Sequence, residues 1–203
     1  MEASAPEHLP HLDVEPEPVY WQPRATWAGA RLIAGGVAFF FISFLFAYIY
    51  LKLNDVNHDW KIGHVSPPFG WGLVIAIVLV VSAVVLRMAV AAPARTAAFG
   101  GLAAGLAVVA VILQVITWTT LGYGPASGGY ASVYTGWTST YTVLMLGCAY
   151  WIQSQAAGIA RARRHGLTLE PMITAASLEA CSFFWSFYVA IGVIEFICLY
   201  IIK

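Results

Sequence analysis

Long runs of apolar residues, separated by short polar segments, make up most of the chain from about residue 30 onward. An α-helix needs about 20 residues to cross a hydrocarbon core of about 30 Å. Five runs are long enough, and we predict a transmembrane helix for each. The predicted spans are about residues 30–53, 69–91, 96–121, 137–159 and 178–202.

The third and fourth spans are separated by glycine and proline rather than by charge. Residues 96–160 contain no Asp, Glu, Lys, Arg or His, and the segment is far too long for a single crossing. The stretch GYGPASGG (122–129) supplies the turn, and all ten prolines lie outside the five spans. Alternating strand patterns are absent, so we predict an all-α membrane protein of five helices and not a barrel.

Basic residues indicate the orientation, because Lys and Arg accumulate in cytoplasmic loops. Lys52, Lys61 and Lys203 lie on the side opposite the N-terminus. Seven arginines lie on the same side as the N-terminus: Arg24, Arg31, Arg87, Arg95, Arg161, Arg163 and Arg164. We therefore expect a cytoplasmic N-terminus and an outer C-terminus.

Composition divides the chain into a polar start and an apolar remainder. Residues 1–23 are rich in acids and prolines, and we predict a disordered or partner-docked cytoplasmic tail there. Residues 24–203 form the predicted transmembrane domain. With 60% hydrophobic residues, 10% charged residues and zero net charge, the chain fits neither a water-soluble protein nor a nucleic-acid binder.

The histidines argue against a redox centre within this chain. A haem or copper site in a membrane needs His or Cys ligands on facing helices. The histidines all fall outside the predicted spans, at positions 8, 11, 58, 64 and 165. A metal site formed by His58, His64, Asp55 and Asp59 in one loop is conceivable, but a solvated loop is the better interpretation.

Glu195 is the one carboxylate that falls clearly inside a predicted span, roughly 10 Å from its outer end. Intramembrane ionisable groups suggest function by default. Glu195 could be a proton-responsive or partner-binding carboxylate, or it could be a group hydrogen-bonded at a subunit interface. A small channel or transporter built around Glu195 is the alternative of another class.

Two further features of the third span indicate packing. Ala97, Gly101 and Gly105 repeat at four-residue spacing and would let another helix approach closely. Gln114, Thr117 and Trp118 follow on roughly one face, where polar side chains prefer a helix neighbour to lipid.

Four segments resemble subunit III of cytochrome c oxidase, a haem-copper oxidase subunit, in its short five-helix bacterial form. They are FFFISFLFAYIYLK (39–52), PPFGWG (67–72), QVITWTTLGYGPASGGYASVYTGWTSTYTVLMLG (114–147) and FFWSF (183–187). The family residues that remain are Gln114, Trp118, Gly128, Tyr130, Ser132, Thr138, Trp185 and Phe187.

Several polar hallmarks of that family are replaced in this chain. The carboxylates would fall near Val37 and on Thr117, and the TGxHxxH helix start becomes TSTYTVL (138–144). The family motif WHFxD becomes WSFYV (185–189). The resemblance therefore implies a divergent member, and the roles of the lost side chains do not transfer.

The resemblance implies a non-catalytic subunit III of a haem-copper terminal oxidase in a bacterial plasma membrane. Haem and copper would belong to the catalytic subunit I and the copper-binding subunit II. A V-shaped, phospholipid-filled cleft would separate helices 1–2 from helices 3–5. This chain would support the stability, proton uptake and oxygen access of subunit I; membership of a larger respiratory assembly stays open.

The positions suggested for structural contacts, lipid contacts or a subunit interface are Gln114, Thr117, Trp118, Tyr141, Trp185 and Glu195. No catalytic, cofactor-binding or metal-binding residue is expected in this chain. The nearest alternative is an accessory protein of a quinol oxidase or a nitric oxide reductase.

Overall fold

The computed structural model describes residues 21–55, 60–61, 66–166 and 171–202, and within these ranges it contains helices and no strand. The helices are α1 (Trp21–Leu53), α2 (Phe69–Ala91), α3 (Thr96–Thr119), α4 (Gly129–Arg164) and α5 (Pro171–Phe196). A short 3₁₀ turn, Pro93–Arg95, joins α2 to α3, and a π-helix, Ile197–Ile202, continues α5. Five helices are long and apolar enough to cross a membrane, which confirms the all-α, five-helix prediction.

Several helices extend beyond the apolar runs. Helix α1 already includes Trp21, inside the segment predicted to be tail, and α4 extends past both ends of the predicted span 137–159. Hydropathy detects only the part of a helix that suits the hydrocarbon core, so it misses polar turns at the ends. Pro23 and Pro171 lie in first turns, where a missing backbone N–H costs little. Residues 1–20, the rest of the predicted tail, lie outside the described residues.

Helix α5 holds the bundle together. Helix α2 packs along α3, and α3 packs along α4. Helix α5 contacts both α1 and α2, while α1 also contacts α4. Helices α1 and α2 follow each other in the chain but have no extensive contact.

The inner face of α3 is made of very small side chains. Ala103, Ala107 and Ala110 are completely buried, at 0% exposure. Small residues let neighbouring backbones approach closely, which is the usual basis of helix association in lipid. This face explains why α3 can pack between α2 and α4.

An aromatic cluster attaches α1 to the bundle. The ring of Phe41 lies 5.8 Å from that of Tyr141 and 6.2 Å from that of Tyr188, measured between centroids. Trp137 completes the cluster at 6.5 Å from Phe41. Aromatic pairs at these separations add to the energy of simple burial.

The bundle has two ends, which we name by their residues. The arginine end contains Arg24, Arg31, Arg87, Arg95, Arg161, Arg163 and Arg164, and the hairpin end contains Lys52, Lys61 and the loop 120–128. At the hairpin end, Gly122 and Gly128 take φ values of +68° and +112°, which favour glycine. Ser132 closes the loop by donating to the Pro125 carbonyl at 2.5 Å.

Trp60 covers the hairpin end. Its carbonyl accepts a hydrogen bond from the Tyr130 N–H at 2.9 Å, and its ring is 7% exposed. The ring packs edge-on against Tyr48 and Tyr130, at 5.2 and 5.7 Å. The loop between α1 and α2 is thereby attached to the start of α4.

Gly72 provides a test of the contact between α2 and the π-helix. A Cβ added at Gly72 would lie 2.5 Å from the Tyr200 ring, whereas one added at Gly70 would meet nothing within 4 Å. We expect Gly72→Ala to destabilise the chain by about 1–3 kcal/mol through overpacking. Thermal unfolding in mild detergent should show a lowered midpoint for Gly72→Ala and an unchanged one for Gly70→Ala. Equal midpoints for the two variants would contradict the close contact between α2 and the π-helix.

Candidate functional site

The candidate site surrounds Glu195, near the end of the α-helical part of α5. Glu195 is 6% exposed and lines a small cavity where four helices meet. Gly72 and Ile75 of α2, Gln114 of α3 and Tyr141 of α4 line the other sides. The sequence singled out Glu195, Gln114 and Tyr141 separately, and the fold brings the three together.

Two polar atoms at this site lack a hydrogen-bond partner among the described residues. They are Oε2 of Glu195 and Nε2 of Gln114, and both are buried. The cavity has a volume of about 20 Å³. Most of its lining is apolar, with Gln114, Tyr141, Glu195 and Tyr200 as the polar members, and its volume is large enough for one water molecule.

Tyrosine hydroxyls lie next to the cavity on its hairpin side. The hydroxyls of Tyr134 and Tyr200 are 2.8 Å apart, and the Tyr200 ring lines the cavity. The Gln114 amide interacts with the Tyr134 hydroxyl, although its Nε2 lacks the geometry of a hydrogen bond. Tyr130 donates to the Leu199 carbonyl at 2.5 Å, which fixes the π-helix against α4.

Tyr141 and Tyr188 form a reciprocal pair between α4 and α5. Their rings stack at 4.4 Å with an interplanar angle of 10°. The Tyr141 hydroxyl donates to the Tyr188 carbonyl at 3.0 Å, and the Tyr188 hydroxyl donates back to the Tyr141 carbonyl. The pair therefore joins α4 to α5 through both ring stacking and hydrogen bonds.

Trp185 links α5 to α2 and α3. Its indole N–H donates to Ser82 Oγ at 3.1 Å, and Ser82 in turn donates to the Ala103 carbonyl at 2.8 Å. Trp185 and Ser82 are 1% and 0% exposed. A single buried serine thus connects three helices.

Trp118 makes a similar contact across the hairpin. Its indole N–H donates to Thr138 Oγ1 at 3.0 Å, and Thr138 donates to the Tyr134 carbonyl at 2.8 Å. Thr117 is buried and donates to the Leu113 carbonyl of its own helix at 2.8 Å. Among the described residues, the Thr117 hydroxyl therefore bonds within its own helix and not to a neighbouring one.

Of the small residues predicted to pack, Ala97 and Gly101 are half-buried and Gly105 is exposed. A Cβ added at Gly101 or Gly105 would meet nothing within 4 Å, whereas one added at Gly100 would lie 3.0 Å from the Ala156 Cβ. Ala97 and Gly101 line an open groove between α3 and α4. The close contact of α3 with α4 therefore uses Gly100, the residue beside the predicted series.

A second cavity, of about 390 Å³, lies at the arginine end between the α2–α3 junction and α5. Its lining is mostly apolar, with Arg163 and Glu179 as the charged members. Arg163 donates to the carbonyls of Ala94, at 2.7 Å, and Pro93. These bonds tie the end of α4 to the turn between α2 and α3.

Within the described ranges, no three His, Cys, Asp or Glu side chains gather as a metal site would require. Of the loop residues considered for a metal, Asp55 accepts a hydrogen bond from the Trp60 N–H at 2.9 Å. His58, Asp59 and His64 lie outside the described residues.

Sequence reasoning missed Ser82, Tyr134, Tyr188 and Tyr200. Ser82 carried a signal, because it is the only hydroxyl residue in the apolar run 69–86. The tyrosines gave none, since an aromatic residue in a membrane helix is as compatible with lipid as with a helix contact.

Comparison with known proteins adds no family assignment: no family model matches the chain, and no curated protein matches it significantly.

The Trp185–Ser82 bond can be measured with a double-mutant cycle. We expect Trp185→Phe and Ser82→Ala each to destabilise the chain, with a coupling energy of about 0.6 kcal/mol and at most about 1.7 kcal/mol. Unfolding in mixed micelles, followed for both single variants and the double variant, gives this value. Strictly additive losses would mean that the indole and the hydroxyl do not interact.

Proposed function

We propose that this chain is a non-catalytic, subunit III-like component of a haem-copper terminal oxidase. It would sit beside the catalytic subunit I and the copper-binding subunit II, which carry the haem and copper. Its task would be to stabilise subunit I, assist proton uptake and provide lipid or oxygen access.

One observation supports this proposal above the others. The most specific resembling segment, residues 114–147, consists of the end of α3, the hairpin and the start of α4. Its Trp118 and Thr138, both retained family residues, bond to each other across the hairpin at 3.0 Å. The retained Trp185 likewise joins three helices through Ser82. Three residues that recur from the family pattern, Trp118, Thr138 and Trp185, thus take part in bonds between helices.

The proposed lipid contact has two candidate locations. The resemblance implies a cleft between helices 1–2 and helices 3–5, but α2 packs along α3 and α5 and does not form a separate arm with α1. The cavity at the arginine end offers an apolar lining of acyl-chain size. Its charged members are Arg163, which also donates to the carbonyls of Ala94 and Pro93, and Glu179. Arg163 remains a cation and is the group that we propose to face a phosphate. We favour this second location for a bound phospholipid.

The alternatives differ in the partner or in the class of function. An accessory role in a quinol oxidase or a nitric oxide reductase would use the same bundle with another catalytic subunit. A channel around Glu195 has less support, because the cavity there, about 20 Å³, holds a single water molecule and is not a conducting path.

Co-purification tests the proposal. A tagged full-length chain, solubilised in mild detergent from its native membrane, should bring down a histidine-rich multi-pass protein and haem. Reduced-minus-oxidised absorption spectra should show haem bands in the eluate. An unrelated tagged multi-pass protein from the same membrane serves as the control and should give none.

The same eluate separates the alternatives. Oxygen consumption with reduced cytochrome c supports a cytochrome c oxidase, and consumption with quinol alone indicates a quinol oxidase. Reduction of nitric oxide without oxygen consumption indicates a nitric oxide reductase. A colourless eluate containing this chain alone would contradict the proposal.

A further inference from the structure

We propose that Glu195 and Gln114 form a proton-binding site in which a neutral carboxylic acid and a glutamine amide hold one water molecule between α5 and α3. The site belongs to this chain alone. The proposal goes beyond the oxidase function and does not depend on it.

The unpartnered atoms require such an occupant. Oε2 of Glu195 and Nε2 of Gln114 are both buried without a hydrogen bond among the described residues, and both side chains line the same cavity. Buried polar groups are almost always paired with protein or with ordered water. One water molecule fits the cavity volume of about 20 Å³, and its oxygen can accept a hydrogen bond from the acid and another from the amide.

The surroundings favour the neutral acid over the carboxylate. The groups that line the cavity with Glu195 are Gly72, Ile75, Ala76 and Leu79 of α2, Gln114 of α3, Tyr141 and Met145 of α4, and Gly192, Phe196 and Tyr200 of α5 and its extension. Tyr134, Tyr188 and Cys198 are further titratable groups that interact with Glu195 electrostatically. None of them is a cation. A buried carboxylate without a counter-charge is strongly disfavoured in such a site.

One basic side chain, Lys52 of α1, contacts the π-helix that follows Glu195. It donates to the Ile202 carbonyl at 2.8 Å and lies over the ring of Tyr48 at 5.7 Å. Oε2 of Glu195 itself has no hydrogen-bond partner among the described residues. A bound proton is the means of neutralising Glu195 in the proposed site.

The local helix geometry also marks this position. Glu195 stands two residues before the start of the π-helix Ile197–Ile202. The π segment is the last element of the bundle and follows directly on α5. Here the π turn places Tyr200 over the cavity and against Gly72.

Infrared spectroscopy of the full-length chain in lipid bilayers tests the site. At neutral pH, the wild-type spectrum minus that of Glu195→Gln should contain the carbonyl stretch of a protonated carboxylic acid. The band should move to lower frequency in D₂O, because the acidic proton exchanges. Glu179→Gln, an exposed carboxylate on the same helix, is the matched control and should keep the band.

A second variant tests the water molecule. Gln114→Leu removes one partner of the water, so the acid band should shift to higher frequency as its hydrogen bond is lost. An unshifted band in Gln114→Leu would overturn the bridge. If Glu195→Gln fails to fold, the band can still be assigned in the wild-type chain. With ¹³C-labelled glutamate, the acid band should move to lower frequency, which identifies it as that of a glutamic acid.

Other outcomes overturn the proton-binding site as a whole. Absence of the acid band in folded wild-type chain at neutral pH would mean that the carboxylate is ionised. Loss of the band on adding Na⁺ would mean that the site takes a metal cation and not a proton with water. Neither result depends on haem co-purification, so this proposal and the oxidase proposal fail separately.

Discussion

The structure depends on the need to satisfy polar groups where water is absent. Hydrocarbon offers no hydrogen-bond partner, so polar side chains within the spans gain from partners inside the chain. Several hydroxyls return to the carbonyl one turn earlier in their own helix, as those of Thr117, Thr138 and Thr142 do. The longer side chains of Tyr141, Tyr188 and Trp185 reach a neighbouring helix instead, and these bonds help to fix which helices are neighbours.

Close packing works together with these bonds. Lipid tails are as apolar as leucine, so burying leucine does not by itself draw membrane helices together. Contact requires a small residue facing a large one. Gly72 faces the Tyr200 ring, and Gly192 faces the Tyr141 hydroxyl. In both pairs the large partner is a tyrosine that also makes a hydrogen bond, so shape and polarity act on the same side chain.

The number of helices and the hairpin between the third and fourth could be predicted from hydropathy and from glycine and proline. The helix ends could not, because polar turns such as Trp21–Pro23 and the start of α4 continue the helix outside the hydrocarbon core.

Glu195 could be recognised as a lone carboxylate in an apolar run, and Gln114 as a polar residue near a helix end. Both side chains line one cavity because α3 and α5 each contribute to a space that α2 and α4 also border. No local sequence pattern carries that information. The inner face of α3 was similarly ambiguous, since Gly100 and Gly101 are adjacent and only the packing of α4 shows which one is covered.

The π-helix at the end of α5 has a consequence for the register of the chain. A π turn contains one more residue per hydrogen-bonded ring than an α turn, so the segment Ile197–Ile202 holds a residue that an α-helix would not need. If the same residues formed an ordinary α-helix, each would advance by about 100° around the axis instead of the smaller angle of a π turn, and the later side chains would rotate away from their positions. Tyr200 would leave both Gly72 and Tyr134, and the Ile202 carbonyl would turn away from Lys52. The width of this last turn therefore matters as much to the bundle as the identity of the residues in it.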